Sequence, residues 1–458
     1  MKTVKEFLEA RKAGEIDIED FLLKVIEKTK KIQEKYQPFI TINEKIEGSF
    51  GEKLFGLPVS VKDCICTKGM QTTAGSKILE GYIPPIDATC VDKIKKQGGF
   101  ILGKTAQDEF GFGTFCTNCA YVVPKNPFDP ERSCGGSSGG AGCITAAADF
   151  PHIAIAESTG GSITAPAAFT GTVGLTPTYG RVSRFGLIDY ANSMDKIGVI
   201  AKKVYDAALM LSIISGYDPL DSTSQKITEE DFTRYVDVDV SGMKIGVPKE
   251  YFGEGVDERI KKLVWQKIKQ LESLGVEYEE ISLPLTKYAV PAYYIIAVSE
   301  ASTNLAKYCG MRYGSSSEIK GNFDEFFTKI RSKNFGEEAK RRIILGTYAR
   351  MAGYRDAYYL KALKIRTKII QEFKQAFKKF DCLAAPSMPV LPLRFDEIEN
   401  LKPIENYMMD ILTIAPNMAG IPMISVPAGF VNNLPCGIHF IGDHFNESKL
   451  IALAGAIE

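Results

Sequence analysis

The sequence predicts an α/β layered fold with a mainly parallel sheet, on two observations. Apolar strand-like runs alternate with amphipathic helix-like runs along most of the chain. The 458 residues are 45% apolar and 24% charged, which suits a soluble globular chain with a large core.

Taken in order, residues 1 to 50 read as helical. Phe21, Leu22, Val25, Ile26 and Ile32 share one face at helical spacing, and Asp17 stands where an N-cap is needed. LFGLPVSVKDCICT then reads as a strand, DATCVDKIKKQ (87–97) as a helix, and GGFILGKT as a turn and strand. Further on, MKIGVPKEY is a strand, DERIKKLVWQKIKQLESLG a helix and VEYEEISL a strand. A long helix over 355–379 leads into the strand FDCLAAPS. Polar stretches near 216–242 and 312–340 suit linkers, but neither is rich enough in Pro, Gly or Ser to force a domain break. One domain with a helical elaboration is expected, and no internal repeat is seen.

Charge and cysteine content narrow the function classes. Lys+Arg and Asp+Glu both number 56, so the net charge is zero. A chain that grips nucleic acid by itself more often shows a basic excess, so any RNA is expected to be held by another subunit. No run of about 18 apolar residues occurs, and no membrane span is expected. The opening MKTVKEFLEARKAGEIDIED is charged and lacks the apolar core of a secretory signal. With ten scattered cysteines, this points to a reducing, cytoplasmic compartment and free thiols.

Three motifs match patterns that their surroundings do not support. GGFILGKT fits the P-loop pattern through Gly98, Gly103, Lys104 and Thr105, but a helix precedes it and Phe100-Ile101-Leu102 fill the loop with sheet-forming residues. GGSSGG fits a nucleophile elbow at Ser137 or Ser138, yet NPFDPERSC before it is no apolar strand. Cys116 and Cys119 form one C-x-x-C, and with only Cys64 and Cys66 far upstream no metal site is expected.

ESTGGSITAPAA carries the chemistry. Two glycines lead into Ser162, which suits a hydroxyl on a tight turn beside free backbone N–H groups. A serine needs a base, and the chain has only three histidines. His152 follows a proline and reads as structural; His439 alternates with apolar residues and reads as a satisfied strand histidine; His444 has no catalytic setting. The remaining base is a lysine kept neutral by burial. Lys62 fits, because alternation along GLPVSVKD puts it on one strand face with Ser60, and Val59 and Val61 on the other.

Lys62 on its strand, GGSSGG and TGGSI with Ser162 occur in an order and near a spacing that resemble the amidase signature family. The resemblance implies that family's fold, a large mixed, mostly parallel central sheet covered by helices on both faces. It divides the single domain 1–458 into an N-terminal helical layer (1–50), a signature core (51–215), a helical elaboration (243–400) and a closing segment (401–458). It also implies a Ser–Ser–Lys triad of Ser162 as nucleophile, Ser137 on a non-proline cis peptide, and Lys62. Backbone N–H groups around Thr159, Gly160 and Gly161 would bind the oxyanion.

GLTPTYGRVSRFGLIDYANSMDKIGVIAKKVYDAALMLSIISGYDPLDSTS, VPAYYIIAVSEASTNLAKYCGMRYG and RRIILGTYARMAGYRDAYYLKALKIRT are similar to one branch of the family. These are the glutaminase A subunits of tRNA-dependent amidotransferases. The branch implies hydrolysis of glutamine, with ammonia passing to a B subunit that amidates Glu-tRNA(Gln), and a small C subunit bracing the pair. Asp-tRNA(Asn) stays open as a second substrate. No cofactor is implied in this chain; ATP and Mg²⁺ belong on the B subunit, which also holds the tRNA. By similarity the glutamine carboxylate falls to Arg342 and its ammonium to Asp410, with Tyr293 lining the pocket and Tyr294 its rival. Arg341 is adjacent, and since the two arginines point about 100° apart on a helix, only one can face the pocket. The alternative is a free-standing amidase acting on another small amide. Two departures stand out: the family's usual Asp before TGGSI and Arg after it are Ser158 and Thr164 here, which reads as an ion pair exchanged for neutral partners.

Overall fold

The apolar runs assemble into one large sheet in the computed structural model, which describes residues 3–458. In chain order the strands are β1 (Phe39–Ile42), β2 (Pro58–Lys62), β3 (Phe100–Thr105), β4 (Lys125–Asn126), β5 (Asp129–Ser133), β6 (Ile153–Ser158), β7 (Val173–Thr176), β8 (Lys196–Ala201), β9 (Lys244–Pro248), β10 (Glu277–Ile281), β11 (Cys382–Pro386), β12 (Met423–Val431) and β13 (Leu434–Gly442). Strands β4 and β5 pair apart from the rest; the others form an eleven-stranded sheet in the order β1-β3-β2-β6-β8-β7-β12-β13-β11-β9-β10.

The sheet is α/β and mixed, as expected, but the parallel pairings do not predominate. Strands β3, β2 and β6 are parallel, and so are β11, β9 and β10. The pairings from β6 through β8, β7, β12 and β13 to β11 are antiparallel, as is the edge pair β1–β3. The cause is local. No helix intervenes between β7 and β8, so no crossover forces them parallel. Between β12 and β13, Asn432 and Asn433 both take positive φ (51° and 64°), which a tight two-residue hairpin requires.

Alternation along the strands builds the layers. Ile153 and Ile155 of β6 enter the main core, while Ala154 and Ala156 pack with Ala141 and Ile163 on the opposite face. Helices Val204–Ile214, Glu258–Ser273 and Glu447–Ile457 pack on strands of the sheet, as do Gly139–Ala147 and Thr164–Phe169. Helix Ile18–Tyr36 is capped by Asp17 and buries Leu22, Val25 and Ile26, as its periodicity predicts. The first fifty residues are not helical throughout, because β1 leaves that layer to become the sheet's edge strand. Nor is 312–340 a plain linker: it contains helix Phe323–Asn334 and the start of helix Glu337–Arg350. Among the described residues no helix is long and apolar enough to cross a membrane.

Candidate active site

Strands β2 and β6 are parallel neighbours, so their carboxyl ends lie side by side, where open α/β sheets place ligands. Lys62 ends β2, and Glu157 and Ser158 end β6. Ser137 and Ser138 lead into helix Gly139–Ala147 beside them. Lys62 is fully buried, with Nζ 2.7 Å from Ser137 Oγ, 2.9 Å from Glu157 Oε2 and 3.0 Å from the Glu157 carbonyl oxygen. Ser138 Oγ instead donates to the Glu157 carbonyl (3.0 Å), so of the two serines it is Ser137 that meets the lysine. The Gly136–Ser137 peptide is cis, as the resemblance implies.

Burial alone does not set the charge of Lys62. Burial, the largest single effect, pulls its pKa down; the Glu157 charge and hydrogen bond, together with the Cys64 and Cys116 sulfurs, pull it up, and the net lies above a lysine's ordinary value. Where the sequence led to an amine kept neutral by burial, the structure sets Lys62 in an ion pair with the Glu157 carboxylate.

Ser162 sits on the turn between β6 and helix Thr164–Phe169, nearly buried at 7% exposure. The carbonyls of this turn are occupied: Thr159 O accepts from Asn417 Nδ2, Gly160 O from Ser158 Oγ at 3.0 Å, and Gly161 O from the Ala165 N–H at 2.8 Å. Among the described residues the N–H groups of Thr159, Gly160 and Gly161 have no acceptor, the state in which backbone donors can bind an oxyanion. Ser162 Oγ has no hydrogen-bond partner either, so the structure brings Lys62 and Ser137 into contact without closing the link from Ser137 to Ser162.

Tyr293 and Asp410 lie against the same turn. A Cβ at Gly160 would stand 3.1 Å from Tyr293 Oη, and one at Gly161 would stand 2.5 Å from Thr413 Oγ1 and 3.2 Å from Asp410 Oδ1. Only glycines allow this close approach. Arg342 is buried and Arg341 is on the exposed side of the same helix, so Arg342 is the inward one. Its Nε donates to Glu338 (2.8 Å) and its Nη1 to Tyr190 Oη (2.5 Å), while the rings of Phe112, Tyr190, Tyr294 and Tyr407 surround its guanidinium at 4.9 to 5.6 Å. Asp410 Oδ2 accepts from Thr114 Oγ1 (3.0 Å) and Tyr294 Oη (3.4 Å). Burial raises Asp410 to about 7 against the Thr114 hydrogen bond and the Arg342 charge. Tyr293 thus borders the turn, and Tyr294, stacked on Tyr407, holds Asp410.

The two departures do not partner each other. Ser158 bonds within the turn, and the buried Thr164 hydroxyl has no partner among the described residues. The acid nearest Ser158 is Glu157, one residue upstream, whose role sequence reasoning missed together with Asp195, Thr114, Tyr190, Glu338 and Asn417. For Glu157 a signal existed: a carboxylate directly after the apolar run IAIA of β6.

The discounted motifs are structural. Lys104 lies within β3, and its Nζ donates to Ile65 O, Thr67 Oγ1 (3.3 Å) and Thr72 Oγ1 (3.1 Å). His152 bonds Ser60 Oγ at 2.9 Å, and burial lowers its pKa to about 3. His439 is buried and also lowered to about 3, but neither ring nitrogen has a partner, because its strand neighbour Ser425 bonds Ser387 instead (2.8 Å). His444 lies beside Asp443 near the surface. All ten cysteines are free.

Comparison with known proteins shows the family. The A subunit of the glutamyl-tRNA(Gln) amidotransferase of Carboxydothermus hydrogenoformans is 46% identical, over 100% of this chain and 96% of that protein. Its namesake from Methanococcoides burtonii is 48% identical, over 90% and 86%. The crystal structure of the Thermotoga maritima protein of that name superposes with a TM-score of 0.84 at 38% identity, covering 100% of this chain and 94% of that one. A 6-aminohexanoate cyclic dimer hydrolase superposes with a TM-score of 0.86 at 20% identity, over 100% of this chain and 96% of the other, a likeness of fold alone. Residues 3–451 match the family model described as Amidase, and with that extent of agreement the chain belongs to the amidase family.

Proposed function

We propose that this chain is the glutamine-hydrolysing A subunit of a tRNA-dependent amidotransferase. The observation that carries the reading is buried Asp410 beside the turn that bears Ser162, with the charge of buried Arg342 acting on it. An α-amino acid carries one group of each sign, and an Arg fork suits its carboxylate while an Asp suits its ammonium. Tyr293 lines the same pocket. The amidotransferase names of the full-length relatives support the choice of glutamine.

In this reading Ser162 attacks the side-chain amide carbon and the N–H groups of Thr159, Gly160 and Gly161 hold the oxyanion. Ser137 and Lys62 relay the proton to the leaving nitrogen, ammonia departs, and water resolves the ester. A closing movement of the turn brings Ser162 Oγ to Ser137, since catalytic hydrogen bonds often tighten only when substrate is bound. Ammonia then serves a B subunit that uses ATP and Mg²⁺ on Glu-tRNA(Gln), with a C subunit bracing the pair.

The test is ammonia release from glutamine by the chain alone and with B and C subunits, ATP and charged tRNA. Release that depends on Ser162 and forms Gln-tRNA(Gln) in the complex is expected. Failure to assemble, with turnover of other small amides by the lone chain, would favour a free-standing amidase. Repeating the assay with Asp-tRNA(Asn) reads the second substrate.

A further inference from the structure

We propose that Glu157 is the proton-holding positioning residue of this site, accepting the proton that Lys62 must shed before it can deprotonate Ser137. The proposal rests on the relay reading given above and deepens it.

The geometry forces the question. An ammonium has three N–H donors and no lone pair. All three donors of Lys62 are engaged, by Ser137 Oγ, the Glu157 carbonyl and Glu157 Oε2. In that state the lysine donates to Ser137, which is the reverse of what a base does. Of the three acceptors only the carboxylate can take the proton. Transfer from Nζ to Oε2 leaves an amine and a carboxylic acid, with the net charge of the pair unchanged.

The remaining steps then balance. Ser137 gives its proton to Nζ and takes that of Ser162. Ser162 Oγ bonds the amide carbon as the carbonyl π pair moves onto oxygen. On collapse the C–N bond breaks, the proton returns from Nζ through Ser137 to the leaving nitrogen, and Glu157 hands its proton back to Lys62.

A second observation concerns Asp195, just before β8. Thr159 Oγ1 lies 2.8 Å from Glu157 Oε1 and 2.8 Å from Asp195 Oδ1, yet a hydroxyl has one hydrogen. The two carboxyls therefore compete for the single Thr159 hydrogen. Burial, and then the Glu157 charge, raise Asp195, whose carboxyl also accepts the Tyr190 and Ala191 N–H groups. Thr159 belongs to the oxyanion turn, so one hydrogen-bond chain joins turn and relay. The other titratable groups around Lys62 are the Cys64 and Cys116 thiols, both raised well above the ordinary value by burial, and Asp108, raised to about 6; Asp189 lies toward Asp195.

The test is the pH profile of kcat/KM for glutamine in Glu157→Gln. With the carboxylate gone, the only acceptor is an amine free of its own proton. The acid limb should then follow the Lys62 amine itself and move up by more than about one pH unit, with activity recovering at alkaline pH. An unchanged limb, whether activity is kept or lost uniformly, or a gain at pH 7, overturns the proposal. Should the variant fail to fold, ¹⁵N-lysine NMR of the parent chain decides: an ammonium at Lys62 at pH 7 supports it, and a neutral amine overturns it. Ser162→Ala separates the two levels, since glutamine hydrolysis that survives it refutes the serine relay itself, whatever Glu157 does.

Discussion

At Asp410 the pocket places a carboxyl whose burial raises it to about 7, despite the Thr114 hydrogen bond and the Arg342 charge. The group that would hold a substrate ammonium is therefore only half ionised near neutrality. The KM for glutamine should rise as pH falls below about 7, with kcat affected less, and Asp410→Asn should raise KM and flatten this dependence. The same shift bears on folding. A carboxyl raised in the folded state binds its proton more tightly there than in the unfolded chain, so stability is lost as pH rises from about 4 through 7. Without substrate, Asp410→Asn should thus be more stable than the parent at pH 8, by roughly 2–4 kcal/mol at most, and gain little at pH 4. Thermal melts at the two pH values read this, and a gain of the same size at both would contradict it. Most residues of this site were legible in the sequence because they sit in contiguous motifs or matched segments: Lys62, Ser137, Ser162, Tyr293, Arg342 and Asp410. Glu157 and Asp195 were not, because what they do depends on the register of β6 against β2 and β8, which no local pattern states.

Helix Glu337–Arg350 carries Arg342, and its position depends on one close contact. A Cβ at Gly346 would overlap the Val298 carbonyl oxygen of helix Ala289–Asn304, a backbone atom that cannot step aside. Gly346 lies one turn beyond Arg342, so separating the helices displaces the guanidinium as well. Gly346→Ala should cost about 1–3 kcal/mol of stability and raise the KM for glutamine. A melt unchanged from the parent would refute the contact. Periodicity foretold several elements well, notably Ile18–Tyr36, Glu258–Ser273 and β2. It missed β1, a four-residue strand inside a stretch read as helical, and helix Phe323–Asn334, which buries only Phe326 and Ile330. Element identity is largely a local property, but burial on the far side of a short strand or thin helix is not.

Across the whole molecule, strand direction was the feature least visible beforehand. Alternating strands and helices describe the two parallel flanks, whereas the middle is antiparallel because a loop without a helix and an Asn-Asn turn connect its strands. That arrangement still gathers the site. The parallel pair β2–β6 ends where antiparallel β8 begins, so Lys62, Glu157 and Asp195 meet at one edge of the core, while helix Ala289–Asn304 brings Tyr293 to the Ser162 turn. The central claim, that Ser162 attacks the amide of glutamine, is tested most directly by acid-quenching the enzyme during turnover and mapping its peptides by mass spectrometry. A γ-glutamyl ester on the peptide containing Ser162, absent in Ser162→Ala, is the predicted result. An adduct on another residue, or turnover by Ser162→Ala at the parent rate, would contradict it.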